Sequence, residues 1–76
     1  MDAKFEEVLN TVNPEILENK EADLFDEEIL DSLQIMMLVT NLESAYSIYI
    51  DPDDIVEENF STVEDIWNLV KKYKNN

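Results

Sequence analysis

Ser32, set between Asp31 and Leu33, is the residue best placed to react in this sequence. A serine hydroxyl attacks only when a base accepts its proton. The chain has no His, and its five bases are all lysines, at positions 4, 20, 71, 72 and 74, far from Ser32 in sequence. It therefore does not assemble a hydrolytic triad of its own. It has no Cys and so no thiol to offer. If Ser32 reacts, another protein supplies the base. The local residues leave a second reading open, because Asp-Ser ahead of an apolar run is also a common helix start. On that reading Ser32 shares capping duty with Asp31.

The remaining constellations point away from catalysis. Asp51, Asp53 and Asp54 begin an acidic run reaching Glu58. A calcium loop would need a turn glycine and a terminal Glu that this run lacks, and Pro52 interrupts it. Asp-Pro-Asp-Asp reads instead as a helix start. Asp26 and Glu28 form a carboxylate pair that acid–base chemistry would require, yet a chain of 76 residues offers little architecture for an enclosed pocket. The absence of Gly removes the glycine-rich phosphate loops. The absence of Cys and His removes disulfides and the usual zinc sites. No metal ligand set is expected.

Nineteen acids against five bases give a net charge of −14. Nucleic acid requires the opposite sign, and an anionic membrane would repel this surface. Basic protein partners are attracted to it and meet it faster. With no charged-then-apolar leader and no apolar segment long enough to span a bilayer, the expectation is a soluble, cytoplasmic monomer without membrane insertion.

The elements that must hold Ser32 follow from periodicity. From Ile29 to Tyr46 the chain carries two apolar stripes when wound at about 100° per residue. Ile35, Leu38, Val39, Leu42, Ala45 and Tyr46 share a core-facing side. Leu33, Met36 and Met37, with Thr40 and Ser44, lie roughly opposite. That predicts a helix from about Ser32 to Ser47, capped by Asp31. Its second stripe is either covered by a loop or free for a partner. Before it, Phe5, Val8, Leu9 and Val12 mark a helix that opens at Asp2 and ends at Asn13-Pro14. Residues 14–30 read as a long connection with a helical turn, pinned by Leu24, Phe25, Ile29 and Leu30. Ile48-Tyr49-Ile50 has no strand to pair with and reads as extended loop. A short helix is expected after Asp51. Ser61-Thr62-Val63-Glu64 has the capping-box pattern for a last helix, with Val63, Ile66, Trp67, Val70 and Tyr73 inward. The expected fold is all-α: a small irregular four-helix bundle, three main helices and one short one, spanning residues 1–76 as one domain.

The chain resembles acyl and peptidyl carrier proteins. The resemblance rests on Asp31-Ser32-Leu33 at the start of the long helix, Leu38-Val39-x-x-Leu42-Glu43-x-x-Tyr46, Ile48-x-Ile50, Asp54-Ile55, and Phe60-Ser61-Thr62-Val63. It covers Leu24 to Val70 best. It implies that Ser32 is the attachment point for 4′-phosphopantetheine taken from coenzyme A, with Asp31 and Leu33 completing the motif. The arm then carries an acyl or aminoacyl thioester between enzymes, and the protein itself is not an enzyme. The implied partners are a phosphopantetheinyl transferase, an adenylating ligase or acyltransferase that loads the arm, and a downstream acceptor enzyme. Docking is implied at Gln34, Met36, Met37, Thr40, Glu43 and Ile55.

The exposed side of the long helix has few acids, as in peptidyl or D-alanyl carriers, while the residue after the serine and the stretch before the last helix depart from the D-alanyl pattern. The resemblance thus implies a stand-alone carrier of an amino acid or short acyl group. The alternative class is an acidic helical interaction module with an unmodified Ser32.

Overall fold

The first helix begins where Asp2 accepts a hydrogen bond from the Phe5 N–H at 2.8 Å, the N-cap geometry expected of an aspartate. This computed structural model describes residues 1–74. It contains α1 (Ala3–Val12), α2 (Glu15–Glu18), α3 (Ser32–Tyr46) and α4 (Val63–Lys74), with 3-10 turns at Pro52–Asp54 and Glu57–Phe60. No strand forms among the described residues. The class is all-α, with three main helices and one short one, as the sequence implies. The short helix, however, is α2 in the first connection. After Asp51 the chain makes only a 3-10 turn, because Ile55 leaves the helical region at φ −85, ψ 71 to pack on the core. Three residues cannot repay helix nucleation.

α1 runs antiparallel to α3. Its start meets the end of α3 where the Tyr46 hydroxyl donates to Asp2 at 2.6 Å. Its end meets the start of α3, where Asn13 Nδ2 donates to the Ile29 carbonyl at 3.0 Å and to Gln34 Oε1 at 3.3 Å. Phe5, Leu9, Leu38, Leu42, Phe60, Ile66 and Val70 are fully buried between the helices. Phe5 and Trp67 tilt against each other with centroids 4.9 Å apart. Leu69 is also buried, so the inner face of α4 is wider than its predicted stripe. The cap of α4 is shifted by one residue from the sequence pattern. Thr62 Oγ1 accepts from the Asp65 N–H at 3.1 Å, while the Ser61 hydroxyl turns back to the Glu57 carbonyl.

The long connection is folded by its own polar groups. Asp23 Oδ1 accepts from the N–H groups of Phe25 and Asp26, both at 3.0 Å. The Leu24 carbonyl takes those of Ile29 and Leu30. Between these contacts Glu28 adopts a left-handed φ of 57°, which turns Ile29 and Leu30 into the core just ahead of Asp31. A second left-handed residue, Ser47 at φ 54°, ends α3. Most helices that stop this way use glycine, and this chain has none. In Ser47→Gly, relief of about 1 kcal/mol of left-handed strain outweighs roughly 0.5 kcal/mol of added chain entropy. The expected result is a slightly higher urea midpoint with an unchanged slope.

The Asp2–Tyr46 contact sets an acid limit. Asp2 is held at about 2 rather than 3.8, first by the Tyr46 hydroxyl, then by the Phe5 N–H, with Lys74 adding to both. The depressed folded-state value means that this contribution is complete above the unfolded value and fades as pH falls toward about 2. Tyr46→Phe removes the largest cause. Its stability loss relative to wild type should therefore be present at pH 5 and shrink between about pH 4 and about pH 2, as read by urea titrations followed by circular dichroism.

Candidate functional site

The start of α3 is organised by Asp31. Its Oδ1 accepts from the Gln34 N–H at 2.9 Å, and its carbonyl accepts the Ile35 N–H at 3.0 Å. Asp31 therefore caps the helix unaided, and Ser32 is the first helical residue, exposed to solvent. The shared-cap reading of Ser32 does not hold: its hydroxyl takes no part in the cap.

The first turn of α3 differs from those of the other helices in its charge. α1, α2 and α4 each carry an acidic residue in the first turn, whereas α3 has none there. Cap bonding engages the Gln34 and Ile35 N–H groups. The N–H groups of Ser32 and Leu33 complete the positive end of the helix dipole. A phosphodiester on the Ser32 hydroxyl would place its negative charge against that end.

Two shallow grooves flank Ser32. One, of about 290 Å³, is lined by Ser32, Phe25, Ile35, Met36, Ile55, Val56 and Glu57. The other, of about 260 Å³, is lined by Leu33, Met36, Met37, Thr40 and Asn41. Met36 borders both. The outer stripe is uncovered: Leu33 is 71% exposed, Met36 52% and Met37 44%. The long connection does not fold over it.

The structure thus places Ser32, Met36 and Ile55 on one groove and Leu33, Met36, Met37 and Thr40 on the other. It does not do the same for the other two expected docking residues. The Gln34 side chain, half-buried, accepts a hydrogen bond from Asn13. Glu43, also half-buried, accepts the Ile50 N–H at 2.9 Å and so holds the turn after α3. Each of these side chains gives one oxygen to the fold, Gln34 Oε1 and Glu43 Oε2. Val56 and Glu57 were missed by sequence reasoning. The available signal was an apolar Val stranded beside an acidic run.

The family described as "Phosphopantetheine attachment site" matches residues 2–70. The chain belongs to this family. It is a carrier, not an enzyme, and it bears a covalently attached 4′-phosphopantetheine arm. The arm supplies the thiol that the chain lacks. Enzymes that load this carrier and enzymes that accept its load are its partners.

The carrier is similar to curated proteins named D-alanyl carrier protein. That of Lactococcus lactis subsp. lactis is 34% identical over 70 residues, covering 90% of this chain and 89% of the relative. That of Lactococcus lactis subsp. cremoris (strain MG1363) is 32% identical over 68 residues, covering 87% and 86%. That of Streptococcus uberis is 36% identical over 56 residues, covering 74% and 71%. No solved structure matches the carrier at a significant level. No helix among the described residues is long and apolar enough to cross a membrane.

Proposed function

We propose that Ser32 is the attachment point of the arm and that the arm carries an aminoacyl group, D-alanyl first among the choices. The carrying observation is the start of α3. Ser32 is exposed at the first helical position, Asp31 provides the cap without it, and the first turn beyond that cap carries no acid. The D-alanyl choice rests on the relatives, and the sparsely acidic, apolar stripe beside Ser32 supports it.

In loading, the Ser32 oxygen forms a bond to the phosphorus next to the pantetheine of coenzyme A. The pyrophosphate P–O bond breaks, 3′,5′-ADP leaves, and the serine proton passes to a base on the transferase. The chain supplies the nucleophile and its position. Leu33, Met36, Met37, Thr40 and Ile55 form the apolar surface that a phosphopantetheinyl transferase, an adenylating ligase and an acceptor enzyme would each meet. A basic rim on those partners would answer the net charge of −14. The same reading makes the carrier a cytoplasmic monomer, working where coenzyme A and activated amino acids are supplied.

Intact mass spectrometry tests this directly. Wild-type protein incubated with coenzyme A, magnesium and a broad-specificity transferase gains one phosphopantetheine, and peptide mapping finds it on Ser32. The product, offered ATP, D-alanine or L-alanine and a D-alanine-activating ligase, gains D-alanine as a hydroxylamine-labile thioester. No adduct on folded protein would favour the acidic interaction module instead. An adduct that the ligase leaves unloaded would keep the carrier and overturn the aminoacyl choice.

Met37 tests the docking surface. Its side chain is partly solvent-exposed, so Met37→Lys should change the thermal midpoint little while lowering transferase kcat/KM by about tenfold or more. Unfolding of this variant would identify Met37 as core and sink the docking surface.

A further inference from the structure

Two tyrosine–aspartate contacts tie the ends of this fold together, and they lie at different places relative to Ser32. The first is Tyr46 on Asp2, at the far end of α3. Ser32 and Tyr46 are the first and last of the fifteen residues of α3, on the order of 20 Å apart. The second is Tyr73 on Asp54. It joins the end of α4 to the segment between α3 and α4.

Asp54 is the centre of that second contact. Its carboxylate accepts from the Tyr73 hydroxyl and from Lys72 Nζ, the latter at 2.9 Å. The Asp54 carbonyl accepts from Asn59 Nδ2 at 2.8 Å. The Tyr73 oxygen in turn accepts the Asp51 N–H at 3.1 Å. These four contacts bracket residues 51–59 from both sides. Within the bracket sit Ile55, Val56 and Glu57, which form the wall of the groove facing Ser32.

The local backbone gives that wall little rigidity of its own. It consists of two 3-10 turns, of three and four residues, joined at Ile55 and Val56 in non-helical conformations. Such turns have poorer hydrogen-bond geometry than an α-helix and open easily. Phe60 anchors the end of the segment in the core. Its beginning rests on Asp54, whose side chain is only 25% exposed, so its contacts are partly shielded from water. The Asp54 carboxyl is held below its ordinary value by Tyr73 first and Lys72 second, in keeping with the geometry.

We infer that Asp54 and Tyr73 are positioning residues for the Ser32 site. They fix the Ile55–Glu57 wall at the height at which a partner enzyme, reaching for Ser32, must close against it. The inference rests on the reading of Ser32 as the attachment point. Its consequence is separate: contacts at the tail of α4 control how well the start of α3 is recognised, without touching the reacting serine or the partner's base.

The test compares Tyr73→Phe with Tyr46→Phe in full-length protein. Tyr46→Phe removes one phenol–carboxylate hydrogen bond at the opposite end, and Tyr73→Phe removes one beside the wall together with the Asp51 N–H contact to the same oxygen. Three quantities are read: the urea midpoint, amide hydrogen exchange by segment, and steady-state kinetics with a phosphopantetheinyl transferase and coenzyme A. In Tyr73→Phe, exchange should quicken across residues 51–59 while α1 and α3 keep wild-type protection. KM for the carrier should rise about five- to tenfold with kcat within about twofold of wild type, as expected when a charge-assisted hydrogen bond that preorganises binding is lost. Asp54→Asn should do the same. Tyr46→Phe should lower the midpoint and leave KM unchanged. Equal KM changes in Tyr46→Phe and Tyr73→Phe would reduce the effect to general stability and overturn the inference, as would an unchanged KM in Tyr73→Phe. Wild-type protein that accepts no phosphopantetheine would instead remove the reading of Ser32 beneath it.

Discussion

Ser32→Ala is expected to accept no phosphopantetheine from any transferase, while remaining folded. The change removes the only oxygen that the proposed site offers to the phosphorus, so the loss is complete rather than partial. Stability should hardly move. The cap of α3 is the Asp31 side chain on the Gln34 N–H, which the substitution leaves in place. Ser32 is exposed at the first helical position, and alanine is the better helix former there by up to about 0.5 kcal/mol. The expected record is an unmodified mass beside a fully converted wild type, with superimposable circular dichroism and a thermal midpoint equal or slightly raised. A midpoint lowered by the roughly 1 kcal/mol typical of a lost cap would mean that Ser32 helps Asp31 after all. An adduct on the alanine variant would place the arm on another residue.

Phe60→Ala should have the largest effect on folding. The ring is fully buried at the end of the 3-10 turn Glu57–Phe60, beside Val63 and Ile66 of α4 in the same core. Truncating a buried Phe costs about 3–5 kcal/mol. At roughly 0.05–0.15 kcal/mol per residue, 76 residues hold only about 4–11 kcal/mol in all. The variant should therefore be partly unfolded at 37 °C, or lose about half of its urea midpoint. Because Phe60 also anchors the end of the segment that bears Ile55 and Val56, the folded fraction should be a poorer transferase substrate. A loss below about 1 kcal/mol, measured by urea titration, would contradict a fully packed site.

The legible parts of this chain were those fixed by local rules. Asp2, Asp31 and Asp51 each cap the element that follows, as their side-chain chemistry requires. The inner stripe of α3 packs where its spacing puts it, with Leu38, Val39 and Leu42 buried. The misplaced elements share a cause. Thr62 rather than Ser61 caps α4, because Ser61 is held elsewhere by the Leu24 N–H on its carbonyl and by its own bond to Glu57. The turn after Asp51 does not extend into a helix, because Ile55 is drawn into the core. In both cases a contact distant in sequence overrides a local preference.

The same division runs through the site. By itself the sequence determined that Ser32 stands at a helix start, that the chain has neither the base nor the thiol to use it alone, and that a net charge of −14 attracts partners of the opposite sign. These depend on which residue types are present and on their short-range spacing, and no folding can change them. Only the tertiary structure decided whether the stripe of Leu33, Met36 and Met37 was buried or free, because the answer depends on where the long connection lies. Its own turns around Asp23 and Glu28 keep it off that side. Only the structure withdrew Gln34 and Glu43 into internal hydrogen bonds and set Val56 and Glu57 opposite Ser32. Those placements are made by groups 7 to 25 positions apart, such as Glu43 with Ile50, Gln34 with Asn13 and Ser32 with Glu57. Helical periodicity orders neighbours three and four residues apart, and it says nothing about contacts of that range.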